Sequence, residues 1–180
     1  MKLSTLLTLF TTLSLQLTTT TTAHHLETRN VPGILKEFVL IGENLILLDK
    51  AVKLYEPKKE DKLGLEQKHT NVEISIIKSM NAVHASPPFK KQESSIVANV
   101  AVKMQPFWVE YLHDIVVKRH EFEKAKIADR IQEHIRDFKA RCHGLATSIE
   151  EKLKPEDRET IVDRNRQLDR EFDRTIKAFD

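Results

Sequence analysis

The 180-residue chain has one cysteine, Cys142, and four glycines. A single cysteine excludes an internal disulfide framework, so the packing of apolar side chains has to stabilise the fold. The spacing of Cys142 from Phe138 and Leu145 favours a buried small side chain over a reactive or intermolecular thiol. Few glycines leave few tight turns between strands, whereas Leu, Ile, Lys, Glu and Arg recur at helical spacing. The composition therefore predicts an all-α protein.

Neither sign of charge dominates. The 29 Lys and Arg residues and the 27 Asp and Glu residues are interspersed, and the formal net charge is +2. A nucleic-acid-binding protein usually gathers its basic residues on one face or in one run, whereas residues 170–174 of this chain alternate in sign. We therefore expect solvated helix faces and no nucleic-acid partner.

Motifs of catalytic sites are missing as well. The sequence has no glycine-rich phosphate loop, no Gly-X-Ser-X-Gly nucleophile elbow and no His-Glu-X-X-His pair. His120 and Glu121 begin like a zinc-protease motif, but the residue four positions after His120 is Lys124, so the second histidine ligand is missing. The sequence therefore predicts a protein that is not an enzyme, with no catalytic residue, no metal site and no cofactor.

The N-terminal segment has the pattern of a secretory leader. Lys2 precedes an apolar run, residues 3–17, and small residues follow up to Ala23. The run is short for a bilayer span, so we expect a signal peptide over residues 1–23 and one secreted domain over residues 24–180, without a transmembrane span. The alternative is an uncleaved signal anchor. Cleavage after Ala23 exposes an amino group beside His24, a pair that copper can bind, although a terminus without metal is the favoured interpretation.

Apolar residues at three- and four-residue steps predict five amphipathic helices. The first follows Pro32, which suits a first-turn position, and ends near Pro57. A charged connector over residues 58–64 should lead to the second helix, which residues 86–88 stop.

The other three predicted helices fill the second half of the chain. Pro106 lies inside the third pattern and should kink that helix beside Trp108. The fourth helix covers residues 127–153, and the fifth begins at Pro155 with a narrower apolar stripe. Similar lengths and short connections predict an antiparallel bundle of about five amphipathic helices.

Some of the apolar residues are candidates for binding a ligand. Met80, Met104 and Phe107 supply flexible thioethers and a ring around the proline, a combination that can line a cavity for an acyl chain. The alternatives are a plain core and a bundle that opens to lay its apolar faces on an oily surface. The candidate ligand-binding residues are Phe38, Leu45, Leu48, Ile76, Met80, Met104, Phe107 and Ile131.

Several of these segments together are typical of one family. They are the leader, the end of the first helix at residues 48–55 (LDKAVKLY), the centre at residues 104–107 (MQPF), the junction at residues 117–122 (VKRHEF) and the end at residues 172–179 (FDRTIKAF). In helix order, spacing and secretion the chain resembles the fungal hydrophobic surface-binding protein family, also called cell wall galactomannoproteins. The resemblance extends over essentially the whole mature chain.

The resemblance implies a secreted, non-enzymatic domain that adsorbs to hydrophobic surfaces or encloses a fatty acid or other lipid, outside the cell or at its wall. It also implies that a secreted hydrolase acting on insoluble substrates is a partner in some cases. With 31% charged residues and no Ser/Thr-rich tail or hydrophobic anchor signal, the chain departs from typical members, which argues against covalent wall attachment. A structural cell-wall protein, or a secreted effector that contacts a host protein through its charged fifth helix, is the alternative.

Overall fold

The computed structural model describes residues 31–180, apart from the side chain of Lys59. The predicted signal peptide, residues 1–23, and His24 lie outside the described residues. The described part of the chain contains six helices and no strand, which confirms the all-α prediction. The helices are α1 Val31–Lys53, α2 Lys59–His84, α3 Lys91–Val117, α4 Arg119–Lys124, α5 Ala128–Lys152 and α6 Pro155–Ala178. Five are long, as the apolar spacing predicted, and α4 is a short addition.

The apolar stripes of the long helices form one shared core. In α1 the inward face consists of residues three and four positions apart, so every turn of the helix contributes one or two side chains to the core. Full burial of a side chain of this size stabilises the fold by about 1.5–3 kcal/mol. The buried residues at this spacing in α1 are Ile34, Phe38, Ile41, Leu45, Leu48 and Val52.

The long helices form a closed ring. Each packs mainly against two others, in the order α1, α2, α5, α6, α3 and back to α1. Consecutive long helices alternate in direction, as expected for an antiparallel bundle, whereas neighbours that are distant in sequence run parallel. Ser94 and Asp157, near the starts of α3 and α6, are hydrogen-bonded to each other, and so are Gln105 and Gln167, further along the same two helices. The ring therefore surrounds a common interior.

The second helix begins earlier than the sequence predicted. Residues 58–64 were expected to form a connector, and this prediction is wrong because α2 is helical from Lys59 onwards. Glu60 and Asp61 in its first turn interact favourably with the positive end of the helix dipole. These carboxylates offset the low helix propensity of Gly64, around which a Cβ atom would meet no other atom within 4 Å.

The third helix runs from Lys91 to Val117 and includes Pro106. A proline has no backbone N–H, so the carbonyl of Val102, four residues earlier, loses its usual helical partner. The helix continues nonetheless, because Trp108, Tyr111 and other buried side chains anchor it on both sides of the proline. The kink itself stays a prediction.

Helix α4 closes one end of the ring. The ring of Phe122 is fully buried and lies 4.9 Å from the ring of Tyr55, centroid to centroid. The ammonium group of Lys118 donates to the carbonyl oxygen of Tyr55 at 3.2 Å, and the guanidinium of Arg119 donates to the carbonyl of Ala178. These contacts tie the ends of α1, α3 and α6 together.

Candidate ligand-binding site

A cavity of about 90 Å³ lies inside the ring. All five long helices contribute to its wall, because each turns an apolar face inward. A cavity lined by such side chains stays dry and accepts apolar molecules. The apolar residues of the wall are Phe38, Ile41, Ile76, Ala101, Met104, Trp108, Cys142, Leu145, Ala146, Ile149, Ile161 and Leu168.

An aromatic cluster supports one side of the cavity. Trp108 lines the cavity, and its ring lies 5.4 Å from that of Phe138, 5.9 Å from that of Phe172 and 6.3 Å from that of Tyr111, measured between centroids. Tilted and edge-on aromatic pairs of this kind stabilise a core by about 0.5–1.5 kcal/mol each beyond their burial. This side of the wall is therefore rigid, whereas the flexible thioether of Met104 makes another part adaptable.

The structure brings together three of the eight residues predicted to bind a ligand. Phe38, Ile76 and Met104 line the cavity. Met80 lies close by, since its sulfur is 3.6 Å from the position that a Cβ on Gly144 would take, but it is not part of the wall.

The other predicted residues lie elsewhere in the core. Leu45, Leu48 and Ile131 are buried among side chains and do not reach the cavity, and Phe107 is half-buried at the edge of the core. Their inward orientation follows the helical spacing, but the spacing gives only the face of a helix. It does not show at which level along the bundle axis the side chains leave a cavity.

Several wall residues were absent from the predicted site. They are Ile41, Trp108, Leu145, Ile149, Ile161 and Leu168, together with two alanines. Four of them, Leu145, Ile149, Ile161 and Leu168, belong to the apolar stripes of the fourth and fifth predicted helices. The sequence therefore indicated that these side chains face the interior, but not that they line a cavity. Small side chains at Ala101 and Ala146 help to leave the space empty, and the sequence alone does not reveal which alanines meet across a bundle.

Cys142 is half-buried, has no disulfide partner and lines the cavity. Burial raises the pKa of its thiol, and the nearby Asp169 adds to the effect. The thiol is therefore protonated at neutral pH and contributes a small apolar surface, because the thiolate is the reactive form.

Three residues of the wall are polar: Gln105 on α3, and Arg164 and Asn165 on α6. We call the place where Gln105 meets Arg164 the rim. The Gln105 amide donates to the carbonyl oxygen of Arg164 at 3.5 Å and to Oε1 of Gln167 at 3.4 Å. Both distances are long for hydrogen bonds, so this bridge between α3 and α6 is weak.

A wider groove runs along the outside of α3 and α6. Its volume is about 740 Å³, and Gln105 and Arg164 line it as well as the cavity. The cavity and this outer groove therefore adjoin at the rim. The groove also includes Pro106, Val109, Glu110, Leu112, His113, Val116, Glu171, Arg174, Thr175 and Ala178.

Two buried histidines join α2 to α5 behind the aromatic cluster. The rings of His69 and His134 stack with centroids 3.7 Å apart, and His69 also stacks on Phe138 at 4.2 Å. Burial lowers the pKa of His69 to about 3, and the charge of His134 contributes to the shift. Burial also lowers the pKa of His134, although Glu66 at 3.4 Å opposes this. The pair is therefore neutral at pH 7 and packs like two apolar rings.

The carboxylates of Asp49, Glu110 and Asp114 lie close enough together to suggest a cation site. The ammonium group of Lys53 binds all three, at 2.6, 2.8 and 3.1 Å. Hydrogen bonds to these carboxylates, first of all to Asp49, raise the pKa of Lys53. The cluster is thus an ion-pair network in which a lysine supplies the cation, and it ties the end of α1 to α3.

No helix within residues 31–180 is both long enough and apolar enough to cross a bilayer.

The fold is similar to that of several fungal lipid-binding domains. The crystal structure of Afmp4p in complex with palmitic acid has a TM-score of 0.82 at 17% identity, covering 83% of this chain and 99% of that one. Ligand-binding domain 1 of the Penicillium marneffei MP1 protein, complexed with arachidonic acids, has a TM-score of 0.75 at 11% identity, covering 84% and 97%. Ligand-binding domain 2 of the same protein, also with arachidonic acids, has a TM-score of 0.77 at 11% identity, covering 86% and 98%. At these identities the likeness establishes the fold.

The sequence itself matches a family. No curated protein is significantly similar to the chain in sequence. Residues 34–151, well over half of the chain, match the family described as hydrophobic surface binding protein A. This confirms the resemblance inferred from the leader, the helix order and the spacing. The chain therefore belongs to the hydrophobic surface binding protein A family.

Proposed function

We propose that the protein is a secreted, non-enzymatic binding protein that holds one fatty acid or a similar lipid in the central cavity. The observation that carries this proposal is the cavity wall, which draws apolar side chains from all five long helices and has polar residues only on α3 and α6. Such a wall matches a ligand with one long apolar part and one polar end.

Binding requires the cavity to expand. Its volume of about 90 Å³ is below the roughly 300–1,000 Å³ of ordinary ligand pockets. The weak bridge at Gln105 and the flexible side chains of Met104 and Leu168 allow the contact between α3 and α6 to yield at the level of the cavity. About ten buried methylene groups contribute roughly 8 kcal/mol, which is enough for micromolar affinity before the cost of ordering the ligand.

The comparisons support the same class of ligand. Afmp4p holds palmitic acid, and the MP1 domains hold arachidonic acids, in structures with the fold of this chain. The family description, hydrophobic surface binding, is also one of binding to apolar material. We therefore favour a long acyl chain over a protein ligand, which was the effector alternative.

The cavity proposal can be tested by filling the cavity. Ala146 lines the wall on α5, whereas Ala140 lies on the same helix and is exposed. We expect the substitution Ala146→Phe to abolish binding of one palmitate per chain, because the ring takes the space of the tail, and we expect Ala140→Phe to leave it unchanged. Native mass spectrometry with added palmitate measures the ratio, and circular dichroism checks that both variants are folded. If Ala146→Phe still binds one palmitate per chain, the cavity proposal is wrong.

Secretion is also part of the proposal. The leader pattern of residues 1–23 predicts cleavage after Ala23 and release of a domain over residues 24–180, outside the cell or at its wall. We infer that a secreted hydrolase working on insoluble substrates is a partner, because a lipid carrier removes apolar products from such surfaces. Sequencing the N-terminus of the protein from culture medium tests the processing.

A second candidate function is adsorption to a hydrophobic surface. Leu54, Leu63 and Val117 are 67%, 63% and 64% exposed and lie at the same end of the bundle, where α1 and α3 end and α2 begins. We call these three residues the apolar end. Large apolar side chains gathered at one end of a bundle favour contact with an oily surface.

The test of adsorption compares two double variants. Leu54→Gln with Leu63→Gln should lower the amount of protein retained on polystyrene beads several-fold, because it removes two of the three side chains of the apolar end. Leu47→Gln with Ile74→Gln makes the same chemical change at exposed positions elsewhere and should retain the wild-type amount. If both double variants lose the same amount of retained protein, adsorption does not depend on the apolar end.

A further inference from the structure

The polar part of the cavity wall is small. Gln105 on α3 and Arg164 on α6 meet at the rim, and Asn165 follows Arg164 on α6. Every other residue of the wall is apolar. A ligand with a polar head and an apolar tail can therefore lie in only one orientation, with the head at the rim.

Arg164 has an unmatched positive charge. The nearest acceptor of its guanidinium is the neutral Oε1 atom of Gln167, at 3.2 Å, and no carboxylate within residues 31–180 forms an ion pair with it. On the same helix Arg166 pairs with Asp163 and Arg174 pairs with Glu171. Arg158 and Arg170 also form no ion pair within the described residues, but neither lines the cavity. The guanidinium at the rim is thus available to an anion.

The amide of Gln105 is also easily redirected. Its hydrogen bonds of 3.4 and 3.5 Å across to α6 are near the upper limit for such bonds, so little is lost when they break. The same NH₂ group can then donate to an anion beside Arg164. Because both residues also line the outer groove, breaking this bridge would widen the passage between the cavity and the groove.

We propose that Arg164, assisted by Gln105 and Asn165, binds the carboxylate head of the ligand, so that the site selects ionised long-chain acids over neutral lipids of the same length. This inference rests on the proposed function, because it assigns the head of a ligand whose tail occupies the cavity. The planar guanidinium presents two parallel N–H donors that match the two oxygens of a carboxylate, and such charge-assisted pairs are among the stronger hydrogen bonds.

The experiment compares two ligands and two arginines. Palmitate and hexadecanol have the same chain length and differ in the charge of the head. Arg164→Gln and Arg170→Gln each remove one positive charge from an exposed side chain of α6, but Arg170 does not line the cavity. Affinities are measured by calorimetry at pH 8 and low salt. A third variant, Arg164→Lys, keeps the positive charge but loses the two parallel N–H donors of the guanidinium.

We expect Arg164→Gln to weaken palmitate binding about tenfold and to leave hexadecanol binding unchanged, since one charge-assisted pair is lost. Arg164→Lys should fall between Arg164→Gln and the wild type, and Arg170→Gln should bind both ligands like the wild type. The same palmitate affinity in Arg164→Gln as in the wild type would overturn the inference while the cavity proposal stands. Equal losses in Arg164→Gln and Arg170→Gln would overturn it too, because a general charge effect would then explain them. A wild-type protein that binds neither ligand would overturn the proposed function itself.

Discussion

At the scale of single residues, the stacked pair of His69 and His134 links pH to stability. In the unfolded chain a histidine has a pKa near 6.5. In the folded protein burial holds the pKa of His69 at about 3. Between these two values the unfolded state binds more protons than the folded one, so the free energy of unfolding falls as the pH falls from about 6.5 to about 3. The slope is about 1.4 kcal/mol per pH unit for one proton, and it vanishes above pH 6.5.

The change His69→Phe tests this link. A phenyl ring can keep the stacking on His134 and Phe138 but takes up no proton, so the unfolding free energy of the variant should depend less steeply on pH between about 6.5 and 3. Urea unfolding at several pH values measures the slope. His69→Leu serves as the comparison, because it removes the same titrating group without keeping the ring stacking, and it should show the same reduction in slope. The same slope in His69→Phe as in the wild type would contradict the assignment, and would point to His134, whose pKa is also lowered by burial, as its source.

Residue-level prediction of the site was partial, for a physical reason. Phe38, Ile76 and Met104 were predicted from helical spacing and line the cavity, whereas Leu45 and Ile131 share the same spacing and fill the core. A cavity forms where the packed side chains do not fill the volume between the helices. Its position depends on which small side chain, such as Ala146, faces which large one across the bundle.

At the scale of helices, the short α4 was not predicted, because six residues carry too little periodicity to be recognised. Its role in the fold depends on Phe122, which is fully buried against Tyr55. The five long helices were predictable, since each repeats its apolar step over six turns or more. The start of α2 was missed because its first turn is charged and contains few apolar residues.

Phe122→Ala tests how much α4 contributes. Removing a fully buried phenyl ring leaves a cavity at the end of the bundle, so we expect the free energy of unfolding to fall by about 3–5 kcal/mol. Val117→Ala, next to α4 but 64% exposed, should change it by less than about 0.5 kcal/mol. Thermal and urea unfolding measure both. A loss for Phe122→Ala as small as that of Val117→Ala would mean that α4 packs only loosely on the ring.

At the scale of the whole molecule, the number of long helices and their alternating direction follow from the sequence, whereas their order around the ring does not. Helices α2 and α3 are consecutive in the chain yet lie on opposite sides of α1. Both are amphipathic, and the apolar faces alone would equally permit direct contact between them. Contacts between distant residues decide the order, such as the stacking of His69 on His134 and the ion pair of Glu73 with Arg141.

The ring is closed by α6, which packs between α3 and α5. Without α6 the ring would be open on one side, and we expect the cavity wall around Trp108 to be accessible there before α6 docks. If the proposed function holds, an acyl chain that binds at this stage is enclosed as α6 docks, and the ring closes at the larger volume that the tail requires. The lipid composition of the protein should then reflect the compartment in which it folds, and delipidation should be fastest under conditions that loosen α6.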